Sequence, residues 1–261
     1  MTIHFAQQAR RSAVRVAAIY DIHGNLPALE AVLHEIQKAG VDQIVVGGDV
    51  VPGPMPRETL ACLLNLEIPV FFIRGNGDRE VLAQMSGIET GSVPEQFREG
   101  LRWNAQQLHP SDKQVLASWP ETLRTEIAGI GKVLFCHATP RNDTEIFTRL
   151  TPEVQLLPIF AEFNGHMIIC GHTHMQFDRM IGTIRVINAG SVGMPFQEAG
   201  AYWLLLGPDI ELRHTYYDFN NAAERIRATK YPQAEDFAAR NVLQPPLEKE
   251  TLQAFGKVEL R

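Results

Sequence analysis

Five times along this chain a short apolar run ends, and a small group of Asp, Asn or His residues follows within a few positions, often beside glycine. Ala17-Ala18-Ile19-Tyr20 leads into Asp21 and His23, and Ile44-Val45-Val46-Gly47-Gly48 into Asp49. Phe71-Phe72-Ile73-Arg74-Gly75 leads into Asn76, and Val133-Leu134-Phe135-Cys136 into His137. Met167-Ile168-Ile169-Cys170-Gly171 leads into His172 and His174. The runs have strand length, and in the first half they alternate with stretches of helical period, which predicts an α/β fold. Ligands of open α/β sheets bind at the carboxyl ends of the strands. The pattern therefore predicts that seven polar side chains share one rim.

A single His or Asp after a strand is ordinarily a turn residue or a satisfied polar group. Five such groups in step ask for a common reason. The set comprises two carboxylates, one amide and four imidazoles, with no thiolate, and these donors suit borderline-to-hard divalent ions. Mn2+ is the first candidate, with Fe2+ and Zn2+ after it. Seven ligands exceed one tetrahedral centre. If one carboxylate is shared, the set divides into two sites of about four ligands each, with positions left for water and substrate. Two divalent cations against two carboxylates leave positive charge for a phosphate ester to neutralise, so the chemistry implied is metal-assisted hydrolysis.

The rest of the chain is read as one domain over residues 1–261, with a core of about 14–217 and peripheral termini at 1–13 and 243–261. Helices are expected over Leu26–Ala39, with Asn25 as cap, and over Pro56–Leu66. Gly75 and Gly77 are read as breaking the chain after the third strand, and residues 79–130 as a helical insertion covering an edge or a site. After it come strands at Leu123–Ala128, Lys132–Cys136, Met167–Cys170, Phe177–Met180, Thr183–Ile187, Ala201–Leu206 and Ile210–Tyr216. Several are joined by turns too short for helices, so a layered mixed sheet is expected. Helical period returns over Asn220–Lys230 and Ala234–Val242. Arg10, Arg11 and Arg15 are read as part of a loose basic start.

Composition narrows the function. With 24 basic against 30 acidic side chains the formal charge is −6, the wrong sign for gripping nucleic acid over a broad surface. No apolar stretch reaches the roughly 18–20 residues of a membrane span, and the start lacks the apolar core of a secretory signal. Three cysteines, Cys62, Cys136 and Cys170, are odd in number and show no paired spacing, which disfavours a disulfide framework or a structural zinc site. A cytoplasmic protein with a small phosphoester substrate and no membrane partner is expected; the oligomeric state is left open.

Asp21-Ile22-His23-Gly24-Asn25, Gly48-Asp49, Gly75-Asn76, His137 after its strand, and Gly171-His172-Thr173-His174 resemble, in kind and order, the calcineurin-like metallophosphoesterases. The resemblance covers about Val14 to Leu206. Asp49-Val50-Val51-Pro52-Gly53-Pro54, His137-Ala138-Thr139-Pro140 and Asn188-Ala189-Gly190-Ser191-Val192-Gly193 are similar to its small prokaryotic phosphodiesterase branch. The resemblance implies a four-layer α-β-β-α sandwich with two mixed sheets. It implies that Asp21, His23, Asp49 and His174 hold one metal and Asp49, Asn76, His137 and His172 a second. Asp49, Asn76 and His137 would act in catalysis with a metal-bridging water.

The sequence departs from the family at Gly77, where a His usually follows the Asn and serves the leaving oxygen. General-acid catalysis contributes roughly 10² to 10⁴ in rate, so its loss should tell on poor leaving groups. Arg79 and Arg141 are candidates for gripping phosphate, or else solvated arginines near loops. Asn25 is a phosphate contact or merely a helix cap, and Asp143 a weak acid or a cap for a helix from Thr144. His4, His34, His109, His166 and His214 fall outside the rim pattern. The reading is a phosphodiesterase on small or nucleotide-like diesters. Its rivals are a phosphomonoesterase, a dinucleoside polyphosphate hydrolase and a non-catalytic metal-binding scaffold.

Overall fold

The computed structural model describes residues 14–89, 93–258 and 260. The basic start, with Arg10, Arg11 and His4, lies outside them. Among the described residues, β1 (Val16–Ile19), β2 (Gln43–Val46) and β3 (Val70–Phe72) alternate with α1 (Leu26–Ala39) and α2 (Pro56–Leu64). Helices α3 (Asn76–Met85), α4 (Glu95–Gln107) and α5 (Pro110–Ser118) follow. Strands β4 (Thr122–Ile127) and β5 (Gly131–Cys136) precede α6 (Glu153–Phe160). Next come β6 (Met167–Cys170), β7 (Phe177–Ile181), β8 (Ile184–Asn188), β9 (Ala201–Leu206) and β10 (Ile210–Thr215). The chain then forms α7 (Phe219–Arg227), α8 (Ala234–Phe237) running into a π-helical turn (Ala238–Leu243), and α9 (Glu248–Phe255).

Two five-stranded mixed sheets result, in the orders β10-β9-β1-β2-β3 and β4-β5-β6-β8-β7. In the first, β1, β2 and β3 are parallel. In the second, β5, β6 and β8 are parallel. Side chains alternate across β1: Val16 and Ala18 face the other sheet with Val133, Phe135 and Ile169, while Ala17 and Ile19 face Leu29 and Val32 of α1. On the outer face of the second sheet, Leu134, Ile168 and Val186 pack on Leu156 and Phe160 of α6. The layers are thus α-β-β-α, as the sequence implied. Burial of both sheet faces explains why these strands read as unbroken apolar runs.

Two local expectations are corrected, and one unassigned stretch proves helical. Gly75 and Gly77 do not break the chain: Gly75 caps α3 and Gly77 lies in its first turn. That turn is held by Asp78, whose carboxylate accepts the Gly75 N–H at 3.2 Å. No helix starts at Thr144, because Asp143 is drawn into an ion pair with Arg79. The apolar stretch Glu153–Phe160, unassigned from sequence, is a helix despite Pro158 within it. Helix α5 covers the edge strand β3, where Phe72 stacks on Trp119 with centroids 4.7 Å apart.

Candidate metal centre

The carboxyl ends of β1, β2, β3, β5 and β6 meet at one end of the two sheets, and each carries its polar group there. Five of the seven predicted ligands, Asp21, His23, Asp49, His172 and His174, have positive φ between 49° and 66°. Among the described residues no other non-glycine residue does. Each such residue costs of order 1–2 kcal/mol. The left-handed step turns the chain sharply off the strand and throws the side chain inward. The space for this is made by glycine: a Cβ on Gly48 would lie 2.7 Å from Gly75 Cα and 2.8 Å from His137 Nδ1.

Around the centre, the backbone engages the outer atoms of the imidazoles and carboxylates, and their inner atoms are left as acceptors. His174 Nδ1 lies 2.7 Å from Met194 O, His137 Nδ1 2.9 Å from Gly47 O, and His23 Nδ1 3.2 Å from Pro52 O. His172 Nε2 lies 3.2 Å from Thr144 O. A carbonyl has no proton to give, so each imidazole donates outward and, when neutral, turns a lone pair inward. His23 Nε2 and His174 Nε2 then face each other at 3.2 Å, lone pair to lone pair. Each carboxylate is likewise held by the backbone through one oxygen, here as an acceptor. Asp21 Oδ2 accepts the His172 N–H at 2.8 Å, and Asp49 Oδ1 the Gly77 N–H at 2.7 Å. Asp21 Oδ1, fully buried, has no hydrogen-bond partner. Asn76 lies among these lone pairs, its amide nitrogen donating to His137 Nε2 and His172 Nδ1 at 3.0 Å each; half a turn of the amide would present its oxygen instead.

A buried cage of inward acceptors is unfavourable until a cation fills it. The protonation equilibria show the same demand. Burial drives His23 and His172 down to about 4, so both are neutral at pH 7. Burial also lowers His137, but Asp49 and Asp21 outweigh it and raise its pKa. Burial raises Asp21, and the surrounding imidazoles, His174 foremost, more than reverse that. His137 is therefore where positive charge is most wanted, and a divalent ion meets that need without a proton.

Two subsets have ligand atoms close enough together for one ion: Asp21, His23 and His174, and Asp21, Asp49 and His137. Asp49 Oδ2 stands 3.7 Å from His23 Nε2 and 3.6 Å from His137 Nε2. Asp21 Oδ1 stands 3.4 Å from His174 Nε2 and 3.8 Å from His137 Nε2. Both carboxylates thus reach both halves of the set. His23, Asn76 and His172 are partly exposed, so the centre opens to water on one side.

The residues expected to bind phosphate are engaged otherwise. Asn25 is fully buried, accepts from Ala28 N at 3.2 Å and donates to Gly193 O at 3.0 Å, so it caps α1. Arg79 donates to both Asp143 oxygens, at 2.7 and 3.2 Å, and to Glu80 at 2.9 Å. Arg141 pairs with buried Glu145. Both arginines border a small cavity of about 260 Å³ with His137 in its wall, but their charge is neutralised.

Sequence reasoning passed over the residues that hold the ligand loops. Asp78, fully buried, accepts the N–H groups of Asp49, Val50 and Val51 at 2.8, 2.9 and 3.1 Å as well as that of Gly75. Burial, then the Asp49 carboxylate, push its pKa up to about 7 against the Val51, Gly75 and Val50 amides. The Ser191 hydroxyl donates to Asp21 O at 2.7 Å and accepts from Met194 N at 2.8 Å. Asn188 donates to Gly171 O at 2.6 Å. The available signal was Asn188-Ala189-Gly190-Ser191, which marks the loop but not the role.

Such a fold with such a donor cage defines a metal-dependent hydrolase. Comparison with known proteins gives it a family: the calcineurin-like phosphoesterase superfamily domain is matched over residues 14–207, and the chain belongs to that family of metal-dependent phosphoesterases. An uncharacterized protein of Methanocaldococcus jannaschii, MJ0912, is 29% identical over 242 residues, covering 84% of this chain and 94% of its own. The hypothetical protein PH1004 of Pyrococcus horikoshii has the same fold, with a TM-score of 0.74 at 23% identity over 86% of this chain and 97% of its own. A metallophosphoesterase of Sphaerobacter thermophilus aligns with a TM-score of 0.68 at 26% identity, over 88% of this chain and 100% of its own.

Proposed function

We propose that the protein is a phosphodiesterase using two divalent cations, Mn2+ foremost, with Asp21, His23, Asp49 and His174 holding one and Asp49, Asn76, His137 and His172 the other. The observation that carries this is the cage itself: seven side chains converge, and the backbone holds the four imidazoles and two carboxylates from outside so that acceptor atoms are left inward. When bound, the cations supply Lewis acidity, activating water and neutralising phosphoryl oxygens. The chain supplies placement. Backbone carbonyls fix the four imidazole tautomers, and the Gly77 and His172 amides orient the two carboxylates. No residue offers an imidazole to the leaving oxygen at position 77.

Charge favours a diester. A monoester dianion or a polyphosphate calls for unpaired cations, and here Arg79 and Arg141 are already matched by carboxylates. The substrate is then a small phosphoester monoanion, and three free cysteines suit the expected cytoplasmic setting. Among the described residues no helix is long and apolar enough to cross a membrane.

The test is a metal-reconstituted panel of diesters, monoesters and dinucleoside polyphosphates. Diester hydrolysis that disappears with chelator and returns with Mn2+ is expected. Faster turnover of monoesters or polyphosphates under the same conditions would replace this reading.

A further inference from the structure

Beside the centre lies a cavity of about 810 Å³, with His23, Asp49 and Asn76 in its inner wall. That volume is in the range of pockets for whole organic ligands, about 300–1,000 Å³, and far exceeds what a phosphate group needs. Its far walls are mostly apolar: Phe97 and Leu101 from α4, Met194 from the loop after β8, Tyr231 from the turn between α7 and α8, and Phe237 from α8. The last two lie beyond residues 14–207, so part of this wall is built from chain outside the family match.

The wall is fixed to the metal loop. Buried Asn104 of α4 accepts from Gly53 N at 3.2 Å and donates to Gly53 O at 2.6 Å, which ties α4 to the turn after Asp49. Gln233 donates to Gln96 O at 3.0 Å, and Tyr231 meets Trp103 edge-on at 5.4 Å, which ties the C-terminal segment to α4. The π-helical turn of residues 238–243 adds Arg240 and Asn241. Such turns recur at functional sites. Phe97 is 54% exposed and stacks on no aromatic ring among the described residues. Arg240 is matched in charge by Asp236, and Glu80 is paired with Arg79, so the cavity offers no surplus cation for further phosphates.

We propose that this cavity receives one organic group of the phosphoester, an uncharged ring-bearing alcohol of nucleoside or aryl type, with Phe97, Leu101 and Tyr231 setting specificity. The proposal rests on the phosphoesterase reading and gives it a substrate class: esters with at least one bulky, largely apolar substituent. Exposed rings of this kind bind planar groups by stacking and burial of apolar area.

Calorimetry on metal-loaded protein compares two monoesters of equal charge, thymidine 5′-phosphate and methyl phosphate. Tighter binding of the nucleotide by about 10- to 100-fold is expected. Phe97→Ala and, separately, Leu101→Ala should shrink that ratio by about three- to tenfold; Phe97 is the cleaner probe, since α4 stays anchored through Asn104, Gln96 and the packing of Leu101 on the core. Hydrolysis of bis(4-nitrophenyl) phosphate is followed on the same preparations. Hydrolysis with equal binding of the two monoesters, or with a ratio indifferent to both substitutions, would overturn the pocket and leave the phosphoesterase reading standing. A preserved ratio without hydrolysis would support the pocket and count against the phosphodiesterase reading.

Discussion

Position 77 is where the sequence departs from its family, and the structure shows what a side chain there would meet. Gly77 is helical, not left-handed, so the obstacle is space rather than φ. A Cβ would sit 2.6 Å from Pro52 Cγ and 3.0 Å from Asp49 Oδ1, where carbon atoms ordinarily rest about 3.5–4.0 Å apart. The Pro52 ring cannot swing aside like the tip of a long side chain, and its carbonyl is the partner of His23 Nδ1. Gly77→Ala should therefore destabilise the metal-free protein by about 1–3 kcal/mol through overpacking. Pro52→Ala removes the opposing atoms and should cost about 0.5–1 kcal/mol, mostly through the unfolded chain. If the clash is the cause, the double variant should recover about 1 kcal/mol or more relative to the sum of the singles. Urea unfolding of the four proteins in chelator measures the cycle. A Gly77→Ala cost below about 0.5 kcal/mol, or strict additivity, would refute the steric argument. The same clash means that Gly77→His is a test of packing before it is a test of catalysis.

Three further expectations follow from the site. With no imidazole at position 77, the rate on aryl and alkyl diesters should fall steeply as the leaving-group pKa rises; a shallow slope would reveal another acid. Ser191→Ala leaves the Met194 N–H without its acceptor and should cost about 1–3 kcal/mol in urea unfolding. Because Met194 O holds His174, Mn2+ affinity should fall about 10- to 100-fold as well, and unchanged affinity would deny Ser191 a positioning role. Native alkylation read by mass spectrometry should modify half-buried Cys62, whereas Cys136 and Cys170 stay protected until unfolding, since burial raises their thiol pKa. Early labelling of Cys136 or Cys170 would contradict that.

The ligand set was legible because it obeys a local rule: a fully buried strand writes an unbroken apolar run, and the polar residue at its end cannot continue it. Strands β6 and β9 were readable to the residue for that reason, and helix α1 because Asn25, Pro27 and Gly40 mark its ends. Helix α3 was not, since Gly75 and Gly77 look like breakers, and only Asp78 capping the turn while gathering three amides from the β2 loop explains it. The fate of Arg79 and Arg141 was equally hidden. Asp143 and Glu145 neutralise them, and whether a guanidinium meets phosphate or a carboxylate is decided by tertiary contact rather than spacing. The cavity beside the centre joins α4 to residues 231–246, and no local pattern announces a wall assembled from such distant segments.

A cage of inward-facing acceptors is proposed to hold two divalent cations. Elemental analysis of protein stripped with chelator, reloaded with Mn2+ and desalted measures that directly. Two ions per chain are expected, with Asp49→Ala lowering both occupancies and His23→Ala mainly one. If Asp21→Ala empties both positions while Asp49→Ala empties one, the shared ligand is Asp21. A single ion per fully active chain, or none retained, would contradict the central claim.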